Sequence, residues 1–258
     1  MITAIHTRTS LPLSETAEFS LPPDVIFVIA HDGSARLLNM AGGFHAVPAV
    51  GTLMLQETLA HGAAAAVKRI AGHYGVEPRQ VQHDLEVFLR QLEAHGLLCD
   101  QRKCRRTSLG RMGLARLVLR PALATIERTF RSSESKAQAL LALARVSFAL
   151  FGWTRTLAVW KEAYARCNCR QAGERDEQTV RAVDQAVRAA AARHFLQVEC
   201  KERALCCWAL ARSAGLDAAL VVGIDLFPLA GHCWCEVGPL TLGDNVERCL
   251  DYTPIGRW

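Results

Sequence analysis

The sequence predicts an α+β protein of two domains, and three observations carry that expectation. Short β-branched segments separated by Asp-Gly and Gly-Gly turns fill residues 25–47, and three helical patterns follow up to His95. From about residue 114 to 194 the pattern is helical almost throughout. The last quarter opens on a helix that starts at Cys200 and continues into segments of period two. With 258 residues, half of them hydrophobic and 21% charged, the chain is long enough to bury two cores. The expected division is 1–98, a linker at 99–113, and 114–258.

Residues 1–18 lack periodicity and read as an extended arm. Phe19-Ser20-Leu21 opens a compact module. Val25 to Ala30 is a strand, His31-Asp32-Gly33-Ser34 a hairpin turn, and Ala35 to Met40 the return strand. Gly42-Gly43 turns again into a third strand, Phe44 to Val47, which Pro48 ends. Helices follow over about Val50–Ala60 and Ala64–Tyr74, the second burying Val67, Ile70 and Tyr74. Gly75 to Pro78 is a turn with proline near a helix start. The third helix, Arg79 to His95, carries Val81, Leu85, Phe88 and Leu92 on one face, and Gly96 caps it. Three strands followed by three helices form a winged-helix-like module. Winged helices commonly bind DNA, but here the third helix mixes Arg79, His83 and Arg90 with Asp84, Glu86 and Glu93. That is no basic face, so nucleic acid is not an expected partner.

Cys99 to Gly113 is polar, basic and glycine-containing, hence the linker. Most of the net charge of +5 traces to Arg102–Arg120, which suits a basic connection or a site for an acidic partner. Leu114–Leu119 and Ala122–Phe130 look helical with a break at Pro121. Ala137–Ala165 is helical with a kink at Gly152, and its apolar run is too short and too interrupted to predict stable membrane insertion. Asp176–His194 is a helix with Val180, Val183, Val187, Ala190 and His194 inward. Ten cysteines are many, but the first twenty residues hold no apolar signal segment. The expectation is a cytoplasmic protein with reduced thiols. Cys167-Asn168-Cys169, Cys233-Trp234-Cys235 and the Cys99/Cys104 pair lack the histidine spacing that completes a zinc site, so no metal is expected. No glycine-rich phosphate loop is present, and no cofactor is expected.

The chemistry concentrates after residue 195. Cys200, Ala204, Cys207 and Ala211 recur at helical spacing, with Gly215 as the stop, so Cys200 faces inward in the first turn. Free N–H groups and the helix dipole there favour a thiolate. Ala218–Gly223 is a strand; Gly231–Val237 alternates and puts His232, Trp234 and Glu236 on one face. After Gly238-Pro239, Leu240–Asp244 is a partner strand ending in Asp244. A helix-start cysteine, a strand histidine and an aspartate on the next strand form a nucleophile, base and orienter. Asp225, Asp251 and Glu236 are rival orienters, with Glu236 and Trp234 better suited to supporting the site from behind. Arg203, one turn past Cys200, reads as structural, a partner for Glu202 or Glu236. The Cys200 backbone N–H is the expected oxyanion donor, ahead of Gln197. Cys206, Cys207, Cys233 and Cys249 read as core packing.

This order and spacing resemble the transglutaminase-like cysteine peptidase domain of lasso-peptide B proteins, the leader peptidases of lasso-peptide maturation. The family's Cys-x-x-Arg-[Ser/Ala]-Leu stretch stands here as Cys200-Lys201-Glu202-Arg203-Ala204-Leu205, and its His-x-Trp-x-Glu stretch as His232-Cys233-Trp234-Cys235-Glu236. Lys201 departs from the usual leucine. The resemblance implies a papain/transglutaminase-like fold for 114–258 and catalysis by Cys200, His232 and Asp244. It also implies a PqqD-like leader-recognition domain in residues 1–98. There a precursor leader would add a strand along Phe44, His45, Ala46 and Val47 and pack on the exposed side of the third helix at Arg79, His83, Glu86 and Arg90. A separate ATP-dependent, asparagine-synthetase-like cyclase is the implied second partner. Acyl transfer to an amine, and a non-catalytic peptide- or DNA-binding role, are the alternatives.

Overall fold

The computed structural model describes residues 6–7, 18–40, 42–165, 167, 169–173, 176–226 and 229–258, without side chains at 6–7, 102–109 and 226. The predicted arm at 1–18 lies outside the described residues apart from His6–Thr7 and Glu18. The chain divides into two compact units, Met1–Arg111 and Met112–Trp258.

In the first unit, β1 (His6–Thr7), β3 (Val25–Ile29), β4 (Ala35–Asn39) and β5 (Gly43–Val47) form an antiparallel sheet in that order. The predicted three strands are present; β1 adds a fourth, pairing His6 with Ile29 and Thr7 with Val28. The Asp32 side chain accepts from the Ser34 N–H at 2.9 Å, and Gly33 supplies the positive φ of 79° that closes the β3–β4 hairpin. β5 lies at the sheet margin, paired with β4 alone among the described strands. Helices α1 (Ala49–His61), α2 (Ala63–Tyr74) and α3 (Pro78–Ala94) cover one face. Val25, Phe27 and Leu37 pack there against Leu55, Leu59, Ile70, Val81, Leu85 and Leu89. Tyr74, expected inward, is 51% exposed because α2 ends on it and buries Ala66, Ile70 and Ala71 instead. A two-stranded ribbon joins β2 (Phe19–Ser20) to β6 (Cys99–Asp100).

The stretch expected as the linker, 99–113, has regular structure. It continues from β6 into α4 (Gln101–Thr129), and the boundary between units falls inside that helix. Arginine, lysine, leucine and methionine are good helix formers, and charge alone does not make a linker. Pro121 does not break α4 either. Its interior position costs about 3 kcal/mol. Leu119 and Leu123 on either side are fully buried, and each such side chain contributes about 1.5–3 kcal/mol.

In the second unit, α5 (Ser133–Tyr164) is kinked at Gly152, as predicted, where φ of 76° and ψ of −176° are non-helical. By length and composition α5 is long enough to cross a membrane, yet Leu140, Leu141, Ala144, Val159 and Trp160 are fully buried in the unit's own core. α6 (Glu177–Ala192) buries Val180, Val183, Val187 and Ala190. His194, predicted on that face, lies beyond the helix end and accepts from the Leu196 N–H. Both helices pack on α7 (Cys200–Ser213), which is buried all round from Ala204 to Ala211 and therefore forms the centre of the unit. α7 lies on an antiparallel sheet of order β10 (Thr253–Arg257), β7 (Ala219–Leu226), β8 (Leu229–Val237) and β9 (Leu240–Leu242). α8 (Val246–Leu250) follows β9.

Candidate active site

Cys200 is the first residue of α7. The start of that helix is fixed from two sides. Glu199 and Glu202 form a capping box, in which the Glu199 N–H donates to Glu202 Oε2 at 3.0 Å. Glu202 is fully buried, and Arg145 of α5 answers its charge at 3.3 Å. Lys201 turns back to Glu199 at 3.1 Å. The nucleophile candidate therefore sits on a helix end whose register is set by buried polar contacts.

β8 supplies the second group. His232, Trp234 and Glu236 do share a face, as period two predicts: the His232 and Trp234 rings stack at 6.0 Å, and Trp234 Nε1 donates to Glu236 Oε1 at 2.8 Å. Glu236 also binds Arg257 of β10, so it braces Trp234 and does not itself touch His232. Tyr252 covers the other side of the imidazole, with ring centroids 5.0 Å apart. Gly223 faces His232 across the ladder, and a Cβ there would come within 2.8 Å of the Trp234 ring. A glycine in mid-strand is what leaves room for this stack.

β9 ends at Leu242, and the next turn carries Asp244 back to His232. Nε2 of His232 is 3.0 Å from Oδ2 of Asp244, and both residues are buried, at 4% and 9% exposure. The two atoms are in ion-pair contact without a well-aligned N–H···O bond. Arg203 of α7 and Arg248 of α8 reach the same oxygen at 3.5 and 3.6 Å. Arg203, expected to pair with Glu202 or Glu236, thus goes to Asp244. Because Nε2 is engaged, Nδ1 is the imidazole nitrogen left for a thiol.

The Cys200 sulfur meets β8 at the backbone, where the Cys233 N–H points at it together with the Lys201 N–H. Among the described residues it makes no hydrogen bond to His232 itself. Burial pushes the thiol up from its ordinary value, and these N–H groups and Arg203 oppose that shift without reversing it. Desolvation therefore works against the thiolate that the helix start favours. Burial likewise lowers the proton affinity of His232; Asp244 works against this, while Arg248 and Arg203 reinforce it.

Phe44, His45, Ala46 and Val47 form the marginal strand β5, with Phe44 41% exposed and Val47 buried. Arg79, His83, Glu86 and Arg90 all lie on the exposed side of α3. Sequence reasoning missed the roles of Glu202, Arg145, Gly223 and Tyr252. The Glu-x-x-Glu spacing at 199–202 and the lone glycine at 223 were the available signals.

Residues 142–257 match the family model of the transglutaminase-like superfamily. Residues 28–98 match that of coenzyme PQQ synthesis protein D (PqqD). No curated protein and no solved structure matches the chain. The second unit thus carries a transglutaminase-like domain, and the protein joins to it a PqqD-type domain. That combination is consistent with the lasso-peptide B protein architecture.

Proposed function

We propose that this protein is the leader peptidase of a lasso-peptide pathway, hydrolysing the bond between leader and core of a ribosomally made precursor. The PqqD-type domain supports precursor binding, and the transglutaminase-like domain supports thiol chemistry on an amide. The observation that carries the reading is the 3.0 Å contact of His232 Nε2 with Asp244 Oδ2, next to a helix-start cysteine on the neighbouring backbone.

Nδ1 of His232 takes the Cys200 proton as the sulfur attacks the scissile carbonyl. The developing oxyanion is met by backbone N–H groups at the start of α7 and at Cys233. The imidazolium then protonates the leaving amine, and Asp244 holds the ring in the productive tautomer. Water, activated by the same imidazole, hydrolyses the thioester and restores the thiol. The leader adds as a strand on β5 against α3, which raises the local concentration of the scissile bond. A separate ATP-dependent, asparagine-synthetase-like cyclase would consume the freed core. Nine free cysteines among the described residues suit a reducing, cytoplasmic setting.

Cys200→Ala decides the assignment. Cleavage of the precursor should vanish while leader binding persists; retained cleavage rejects it. The superfamily name also suggests acyl transfer, and product mass, hydrolysed or amine-adducted, separates the two.

A further inference from the structure

We infer that Asp184 and Arg188 of α6 are positioning residues that set the Asp244 carboxylate against His232. The inference rests on the triad proposed above. Gly243 and Asp244 lie past the end of β9, so no strand ladder holds their peptide groups. α6 does so instead. The buried Gly243 N–H donates to Asp184 Oδ1 at 2.8 Å. Asp184 Oδ2 accepts from Arg188 Nε at 2.6 Å, and Arg188 Nη2 donates to the Asp244 carbonyl oxygen at 2.9 Å. An i,i+4 pair on one helix turn thus grips the two peptide groups that flank the Gly243–Asp244 peptide.

α7 closes the grip from the other side. Gly243 has a φ of +86°, and a Cβ placed on it would lie 3.7 Å from the Ala204 backbone and 3.6 Å from the Cys207 sulfur. Any larger residue would be strained there. The backbone entering Asp244 is consequently fixed between α6 and α7. Besides Arg203 and Arg248 on Oδ2, the side chain is anchored by the Asn245 N–H, which donates to Oδ1 at 2.8 Å and leaves Oδ2 on the His232 side. Small misplacements of an orienting group cost large factors in rate, so a device that fixes this backbone acts on turnover without touching substrate.

The test is precursor cleavage by folded Asp184→Ala, Asp184→Asn and Arg188→Gln, with Asp244→Asn alongside and the fold checked by circular dichroism. Asp184→Ala should lower kcat about tenfold or more with KM within about twofold. Asp184→Asn, which keeps an oxygen for the Gly243 N–H, should recover most of the loss. The acid limb of kcat/KM should also move to lower pH in Asp184→Ala. His232 is faced by Asp244 at the end of β9, Arg203 of α7 and Arg248 of α8, with the neutral Trp234 and Tyr252 rings. Only Asp244 raises its proton affinity, so loosening that contact lowers it.

Wild-type kcat and pH profile in a folded Asp184→Ala overturn the inference. If that variant does not fold, Arg188→Gln carries the same test, since it spares the Asp184–Gly243 bond: a lost kcat with a shifted limb supports the grip, and an unchanged profile overturns it. Asp244→Asn at wild-type rate rejects the triad itself. An inactive Asp244→Asn beside unaffected α6 variants rejects the grip alone.

Discussion

Oδ2 of Asp244 lies 3.0 Å from Nε2 of His232 and shares itself with Arg203 and Arg248 at 3.5 and 3.6 Å. One carboxylate oxygen thus balances three cationic or ionisable groups in a buried site. Asp244→Asn preserves the shape but not the charge. It should lower kcat by about 10²–10⁴-fold, a range typical of lost orienters in thiol and serine triads. Single-turnover cleavage measures it, and a loss under threefold would show that Asp244 is not the orienter.

The pH profile follows from the same contacts. His232 must be neutral to accept the Cys200 proton, and its proton affinity is below that of an ordinary imidazole. The acid limb of kcat/KM should therefore fall below the ordinary value of about 6.5. Folding stability has the same sign. A group that binds its proton more weakly when folded contributes fully above the unfolded value and loses that contribution as pH falls through the folded one. Arg248 lowers His232, so Arg248→Gln should move the limb upward, less so in high salt because Arg248 is 57% exposed.

Cys200, half-buried at the start of α7, should behave as a desolvated thiol in the absence of substrate. Iodoacetamide should alkylate it slowly at pH 7, the rate rising only above the ordinary thiol range, because burial raises the thiol. Mass spectrometry of the peptide that contains Cys200 follows this. Fast alkylation at pH 6 would show a preformed thiolate and a different resting state.

Glu202 contributes stability through buried contacts. Glu202→Ala strands the Glu199 N–H and leaves Arg145 without that partner. The expected cost is about 1–3 kcal/mol, read as a shift of the urea midpoint at constant m. Position 223 offers a second check. Gly223→Ala pushes a Cβ into the Trp234 ring at 2.8 Å and should cost about 1–3 kcal/mol, as overpacking does.

For leader capture, proline scanning of Phe44–Val47 gives an alternating signature. In an edge strand, successive N–H groups point toward and away from the neighbour. Proline at outward positions should cut leader affinity about tenfold or more while the domain stays folded, and at inward positions it should unfold the sheet. Fluorescence anisotropy with a labelled leader reports the first and circular dichroism the second. Uniform effects along the strand would argue against β-augmentation.

Much of this protein was legible because local periodicity is a local property. Helical spacing from Cys200 and period two through His232 placed the groups on their elements, and Asp-Gly marked the first hairpin. Elsewhere local signals misled. The basic stretch at 99–113 holds the boundary between the two units but is regular, strand β6 and then α4, and Pro121 sits inside α4, where buried leucines flank it. Charge and proline report on one turn of chain; packing is decided by what lies opposite.

By itself, the sequence determined which residues could do the chemistry and which faces of their elements they occupy, since side-chain direction follows from backbone period. Only the tertiary structure decided the state of those residues. Partial burial beside β8 pushes the Cys200 thiol up, and three partners from α7, α8 and β8 divide the Asp244 charge among them. Desolvation and Coulomb interaction depend on distance in space, and residues far apart in the chain set that distance.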